Sequence, residues 1–113
     1  MKEVTTYSAI IFLGLQRGKS GRRIHSLEDV ETYLRSYCDR VGLCVTMTET
    51  KFIYTGGSEI GAMIGLINYP RFPSKESDIT ARAMDLAELL QKEYGQTRLS
   101  VMFPNKTIML ERE

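Results

Sequence analysis

Two segments of this chain are apolar on both sides of an extended backbone, and few small folds tolerate that. In Thr5–Gln16 the alternation Tyr7, Ala9, Ile11, Leu13, Leu15 makes one oily face, while Ile10 and Phe12 project from the other. In Ile60–Tyr69, Ala62, Ile64 and Leu66 oppose Met63, Ile67 and Tyr69. An antiparallel strand with one wet face shows polar residues there, so these two strands belong at the centre of a sheet whose second face is also covered.

The punctuation around them supplies the remaining elements. Thr5–Gln16 runs into the Gly/Ser/Arg cluster GLQRGKSGRR, Gly14–Arg23, which reads as a loop. Ser26 with Asp29 three residues on resembles a capping box, and Leu27, Val30, Leu34, Tyr37 and Val41 recur at helical spacing before Gly42. Leu43–Thr55 is β-branched and aromatic, giving one long strand, or a hairpin if Thr48–Lys51 turns. Gly56, Gly57 and Ser58 supply a turn into Ile60–Tyr69, which Pro70 and Pro73 end. Ser74 or Ser77 caps a second helix with the stripe Ile79, Ala83, Leu86, Ala87, Leu90, Tyr94, closed by Gly95. Arg98–Glu111 reads as a strand, a Pro-Asn turn and a second short strand.

The order β-α-β-β-α-β is that of a ferredoxin-like plait, an α+β fold with an antiparallel sheet and two helices on one face, here with a short C-terminal hairpin added. Residues 1–113 are expected to form a single domain, since 113 residues at 42% hydrophobic and 26% charged is ordinary globular composition. The plait makes the first and third strands central, and these are the two whose outer faces are oily. A second copy of the chain is the expected cover. The alternative is intramolecular, with the C-terminal hairpin or a bent hairpin from Lys51 to Ile60 folded across that face.

Several chemistries are disfavoured at once. Cys38 and Cys44 are too few for a disulfide framework, and a zinc site would need both of them, His25 and a carboxylate to converge, so no metal and no cofactor are expected. A formal net charge of +1 argues against bulk nucleic acid or an anionic membrane, leaving electrostatic recognition to local patches. The most apolar run, Ala9–Leu15, falls far short of the roughly 20 residues that cross a bilayer, and the first residues lack a signal-peptide pattern, so a cytoplasmic protein is expected.

The Gly14–Arg23 loop invites comparison with a phosphate-binding P-loop, G-x-x-x-x-G-K-[ST]. Only three residues separate Gly14 from Gly18-Lys19-Ser20, and Gly21, Arg22 and Arg23 follow where a helix should begin. The triphosphatase reading fails on both counts. What remains is a basic loop, with Arg17, Lys19, Arg22 and Arg23 leading into a helix N-terminus, a setting that favours an anion such as phosphate. The same charges also suit a solvated loop whose arginines pair with Glu28, Asp29 or Glu31.

A second candidate stretch is Tyr54–Ser74. Gly56, Gly57, Gly61 and Gly65 thin the side-chain cover, while Glu59, Asn68, Tyr69 and Arg71 place polar groups around the opening. Bulges and a tight hairpin account for the glycines equally well. Nucleophilic catalysis has little footing, because the one histidine stands at a helix entry and both cysteines fall at core-like positions. The six methionines are expected to fill the core.

The pattern therefore points to a self-associating binding module that captures a phosphate-bearing, nucleotide-like molecule or a short nucleic-acid segment through the basic loop. The alternatives are a protein-interaction or regulatory subunit using the open sheet face, and an enzyme assembling its site across a dimer around Glu59, Tyr69 and Arg71.

Overall fold

Period-two and period-3.6 patterns fall where the elements do. A computed structural model describes residues 1–16 and 25–112. It contains β1 (Ser8–Gly14), α1 (Leu27–Val41), β2 (Thr46–Tyr54), β3 (Gly57–Ile67), α2 (Glu76–Glu93), β4 (Arg98–Met102) and β5 (Thr107–Glu111). The strands form one antiparallel sheet in the order β2-β3-β1-β4-β5, which is the ferredoxin-like plait with an extra strand on the β4 edge. As expected, β1 and β3 are central.

The segment Leu43–Thr55 resolves as one strand rather than a hairpin. The turn consists of Thr55 and Gly56, with Gly56 at φ 88°, a backbone that side chains with a Cβ resist. Gly57 and Ser58, expected in the turn, already belong to β3. Both β3 ladders run without interruption, from Thr46 opposite Gly65 to Tyr54 opposite Gly57 and from Ser8 opposite Ile67 to Gly14 opposite Gly61. The strand glycines therefore do not mark bulges.

Ser26 caps α1 as its position implies, its hydroxyl accepting from the Asp29 amide at 3.1 Å, and Gly42 ends the helix in the left-handed conformation. The start of α2 differs from expectation. Lys75 is the N-cap and gives no side-chain cap, since an ammonium has no acceptor. Ser74 lies one residue before the cap, its amide donating to Asn68 Oδ1 at 2.9 Å, and Ser77 already lies inside the helix.

The helices bury Val30, Leu34 and Tyr37 from α1, and Ile79, Ala83, Leu86, Ala87 and Leu90 from α2, against one sheet face. That face contributes Ala9, Ile11, Leu13, Ala62, Ile64, Leu66, Leu99 and Val101. At about 25 cal/mol per Å² of apolar surface removed from water, this shared layer is the main stabilising term. Buried Gln91 donates from Nε2 to the Thr97 and Leu110 carbonyls, so α2 holds the β4–β5 pair in register.

Methionine packing departs from expectation. Only Met47 and Met84 pack against the core, whereas Met63, Met102 and Met109 share the uncovered face with Ile10, Phe12 and Ile67, as the pairings Phe12–Met63, Ile10–Met102 and Ser100–Met109 require. Nor are the cysteines core residues: Cys38 is half-buried and Cys44 exposed. Neither hairpin folds over the open face, since β5 extends the sheet beside β4 and β2 stays paired to β3 along its length. The intramolecular cover by those hairpins is thereby excluded. Among the described residues no helix is long and apolar enough to cross a membrane.

One buried polar link ties the helices together: the Tyr37 hydroxyl donates to Asp85 Oδ2 at 2.8 Å. Burial, and then the Asp85 carboxylate, push the Tyr37 phenol up to about 12 from 10.0. The folded state therefore keeps a proton that the unfolded chain loses first, so this contribution to stability is complete below pH 10 and is lost as pH rises through about 12. Thermal unfolding followed by circular dichroism should show a melting temperature that falls across that window. Tyr37→Phe should flatten the fall while lowering stability at neutral pH by about 1 kcal/mol through the lost hydrogen bond.

Candidate functional site

The uncovered face ends, at the C-terminal end of β1, in a shallow pocket of about 180 Å³. The ladders dictate its walls. Phe52 of β2 stands directly opposite Glu59 of β3, and Gly14 of β1 is opposite Gly61. Side chains opposite one another share a face, so Phe52, Glu59, Gly14 and Phe12 all point to the open side. The Phe12 and Phe52 rings meet edge to face with centroids 6.5 Å apart. Gln96 and Arg98 complete the wall from the β4 side.

The glycines admit close neighbours instead of bending the backbone. A Cβ on Gly14 would stand 2.9 Å from both Glu59 Oε2 and Gln96 Oε1, so the bare backbone is what lets these two side chains converge. The Phe52 ring lies over Gly61 in the same way. The Glu59 carboxylate receives the Gln16 amide at 3.4 Å and, among the described residues, no salt bridge. The nearby Arg98 is paired to Glu111 at 2.7 Å. The pocket thus presents a half-buried carboxylate, two aromatic rings and a narrow polar floor, a combination suited to a cationic centre on a flat ring-bearing molecule.

The other residues singled out in the sequence are distributed differently. Arg17, Lys19, Arg22 and Arg23 lie outside the described residues, although the segment that carries them leaves from Gln16, beside Glu59, and returns at His25. Ten residues of extended chain, about 33 Å, separate Glu59 from Tyr69, so β3 keeps Glu59 apart from Asn68, Tyr69 and Arg71. Asn68 is a brace, donating to the Thr5 carbonyl and accepting from the Ser74 amide, both at 2.9 Å. The Arg71 guanidinium sits over the Phe72 ring at 5.2 Å.

Tyr69 borders a separate cavity of about 980 Å³ between the C-terminal end of α1 and the N-terminal end of α2. A hydrogen bond to Cys44, then burial, raises its phenol above the usual range. Phe52, Gln96 and Arg98 carried no signal as site residues in the sequence. Phe52 becomes visible only once the turn is placed at Thr55–Gly56, which puts it opposite Glu59.

No protein-family model matches the chain, and none of the curated proteins matches it. Its fold is similar to that of a phage SAM lyase in two solved structures, each 21% identical in sequence. The apo form gives a TM-score of 0.79, covering 95% of this chain and 90% of that one. The form in complex with S-methyl-5'-thioadenosine gives 0.81, covering 100% and 95%.

If the Gly14 gap is what admits Glu59, then Gly14→Ala should leave the fold intact but lower stability by about 1–2 kcal/mol, measured by urea denaturation. Glu59→Ala in the same background should restore part of that loss, because the methyl then meets no carboxylate. A loss in the double variant equal to the sum of the Gly14→Ala and Glu59→Ala losses would show that the two residues are independent.

Proposed function

We propose that this chain binds an adenosyl sulfonium compound at the Glu59 pocket, inside an assembly of copies that covers the open sheet face. It splits the bond between the sulfonium sulfur and the amino-acid carbon, releasing S-methyl-5'-thioadenosine. The observation that carries the reading is the Glu59 carboxylate, without a salt bridge among the described residues, set against the Phe12–Phe52 rings. Support comes from the full-length likeness in fold to a lyase solved with that thioether.

The chemistry fits the residues. A sulfonium is a cation that aromatic faces and a carboxylate attract, and an adenine ring stacks on a Phe side chain. As the sulfur–carbon bond breaks, the electron pair stays on sulfur and its positive charge disappears. A transition state with less charge than its ground state gains from a dry, apolar surround, such as a face lined by Phe, Ile and Met supplies once covered. As sulfur leaves, either a neighbouring C–H proton passes to a base, for which Glu59 is placed, and an alkene forms, or the fragment's own carboxylate displaces the sulfur at that carbon and closes a lactone.

Self-association belongs to the same proposal. A pocket of about 180 Å³ is smaller than the roughly 300–1,000 Å³ of most ligand sites, so a wall from a second copy is needed to enclose a nucleoside. Ile67, Met102 and Met109 remain 48%, 39% and 53% exposed, and side chains of this kind usually pack against a partner. The basic residues Arg17, Lys19, Arg22 and Arg23 are assigned no part in the chemical step. S-methyl-5'-thioadenosine carries no phosphate, and a phosphate-bearing ligand on that loop would be a separate activity.

Incubation of the purified protein with S-adenosylmethionine should yield S-methyl-5'-thioadenosine by chromatography, with NMR of the amino-acid product telling an alkene from a lactone. Glu59→Gln should slow this at least about 100-fold without unfolding the chain. A melting temperature raised by the thioether in the absence of turnover would reduce the reading to a binding module. Neither turnover nor a shift would end it. In light scattering the wild type should exceed one chain in mass, whereas Ile67→Asp with Met109→Asp should give monomers that have lost turnover; a monomeric wild type would remove the assembly.

A further inference from the structure

A third cavity, of about 530 Å³, lies on the helical side of the same end of the molecule as the Glu59 pocket, between the first turns of α1 and the last turn of α2. It is distinct from the Glu59 pocket, and its walls are of three kinds. His25, Tyr33 and Tyr94 give aromatic surface: the His25 ring meets Tyr94 edge-on at 4.9 Å and Tyr33 meets it at 6.1 Å. Asp29 and Glu93 give carboxylates, neither of them in a salt bridge among the described residues. His25 Nε2 is buried and has no hydrogen-bond partner among the described residues.

The N-terminal end of α1 borders the cavity with the positive pole of its dipole, but the side chains that line it favour a cation. Among the described residues that line the cavity, two carboxylates stand against the single ammonium of Lys92, and the C-terminal end of α2 adds the negative pole of its dipole. Aromatic faces attract cations. Burial, and after it Asp29 and Glu93, push the Tyr94 phenol up to about 12. Among the described residues the protein's own cations do not fill the role. Lys92 makes no ion pair or ring contact among the described residues, and the nearby Arg40 guanidinium lies over Tyr37 instead, at 5.5 Å. A buried ring nitrogen without a partner is costly unless a hydrogen-bonding group reaches it.

We propose that this cavity binds a small primary ammonium ion with an apolar body, its charge held by Asp29 and Glu93, its body against Tyr33 and Tyr94, and one N–H donated to His25 Nε2. The proposal is independent of the lyase reading, since no residue is shared with the Glu59 pocket.

His25 is the only histidine in the chain, so its ring protons give one assignable NMR signal. Titration of the full chain with benzylammonium at neutral pH should move that signal saturably. Benzyl alcohol, of the same shape without the charge, should bind at least about tenfold more weakly. Asp29→Asn with Glu93→Gln should weaken benzylammonium binding by a similar factor, and circular dichroism should confirm that this variant folds. Should it not fold, the comparison of amine with alcohol on the wild type decides alone. Equal shifts with alcohol and amine, a response to inorganic phosphate in place of the amine, or no saturable shift would each overturn the assignment.

Discussion

Two helices cannot cover both faces of a five-stranded sheet, and most of this molecule follows from which face they take. The face carrying Ile11, Leu13, Ile64 and Leu66 is the more uniformly apolar, so burying it against α1 and α2 removes the most surface from water. The other face keeps Phe12, Met63, Met102 and Met109, with no helix above them among the described residues. The sheet is therefore stable on one side and unsatisfied on the other, and the unsatisfied side is where a ligand or another chain gains most by docking.

The Glu59 pocket is a product of strand register. In uninterrupted antiparallel ladders a residue's neighbours across the sheet are set by the turn, and here a two-residue connection brings Phe52 opposite Glu59 and, one strand further, Gly61 opposite Gly14. A slip of a single residue would send every one of these side chains to the helical face. Absent side chains matter as much as present ones, since a carboxylate, an amide and an aromatic ring converge only where Gly14 and Gly61 leave room. Gln96 strengthens the arrangement by donating to the Gln16 carbonyl at 2.8 Å, tying the end of β1 to the start of β4.

Much of the fold was legible because it rests on local rules. Ser26, Gly42 and Gly95 punctuate helices by backbone chemistry that does not depend on the rest of the chain, and the stripes of α1 and α2 name their buried faces directly. Where a residue had two local uses, the reading went astray. Ser74 is a good cap in isolation, but the helix starts one residue later and Lys75 takes the cap position, while Asn68 braces the approach loop through Thr5 and Ser74. The methionines look like core filler in any single segment, and only the pairing of strands shows three of them sharing one surface. Glu59 was legible as a polar residue in a glycine-thinned strand; its aromatic neighbours were not, because Phe52 and Phe12 lie on two other strands.

The amino-acid order alone determined the plait, its central strands and the existence of a second oily face, since side-chain alternation and capping act over a few residues and survive being read one segment at a time. Tertiary structure decided what lies across the sheet from what: that β5 extends the sheet instead of lidding it, that Glu59 stands with Phe52 and not with Tyr69, and that His25 comes to rest among tyrosines. Those juxtapositions depend on register and on the packing of whole elements, and both are settled only when every strand and helix competes for the same interior at once.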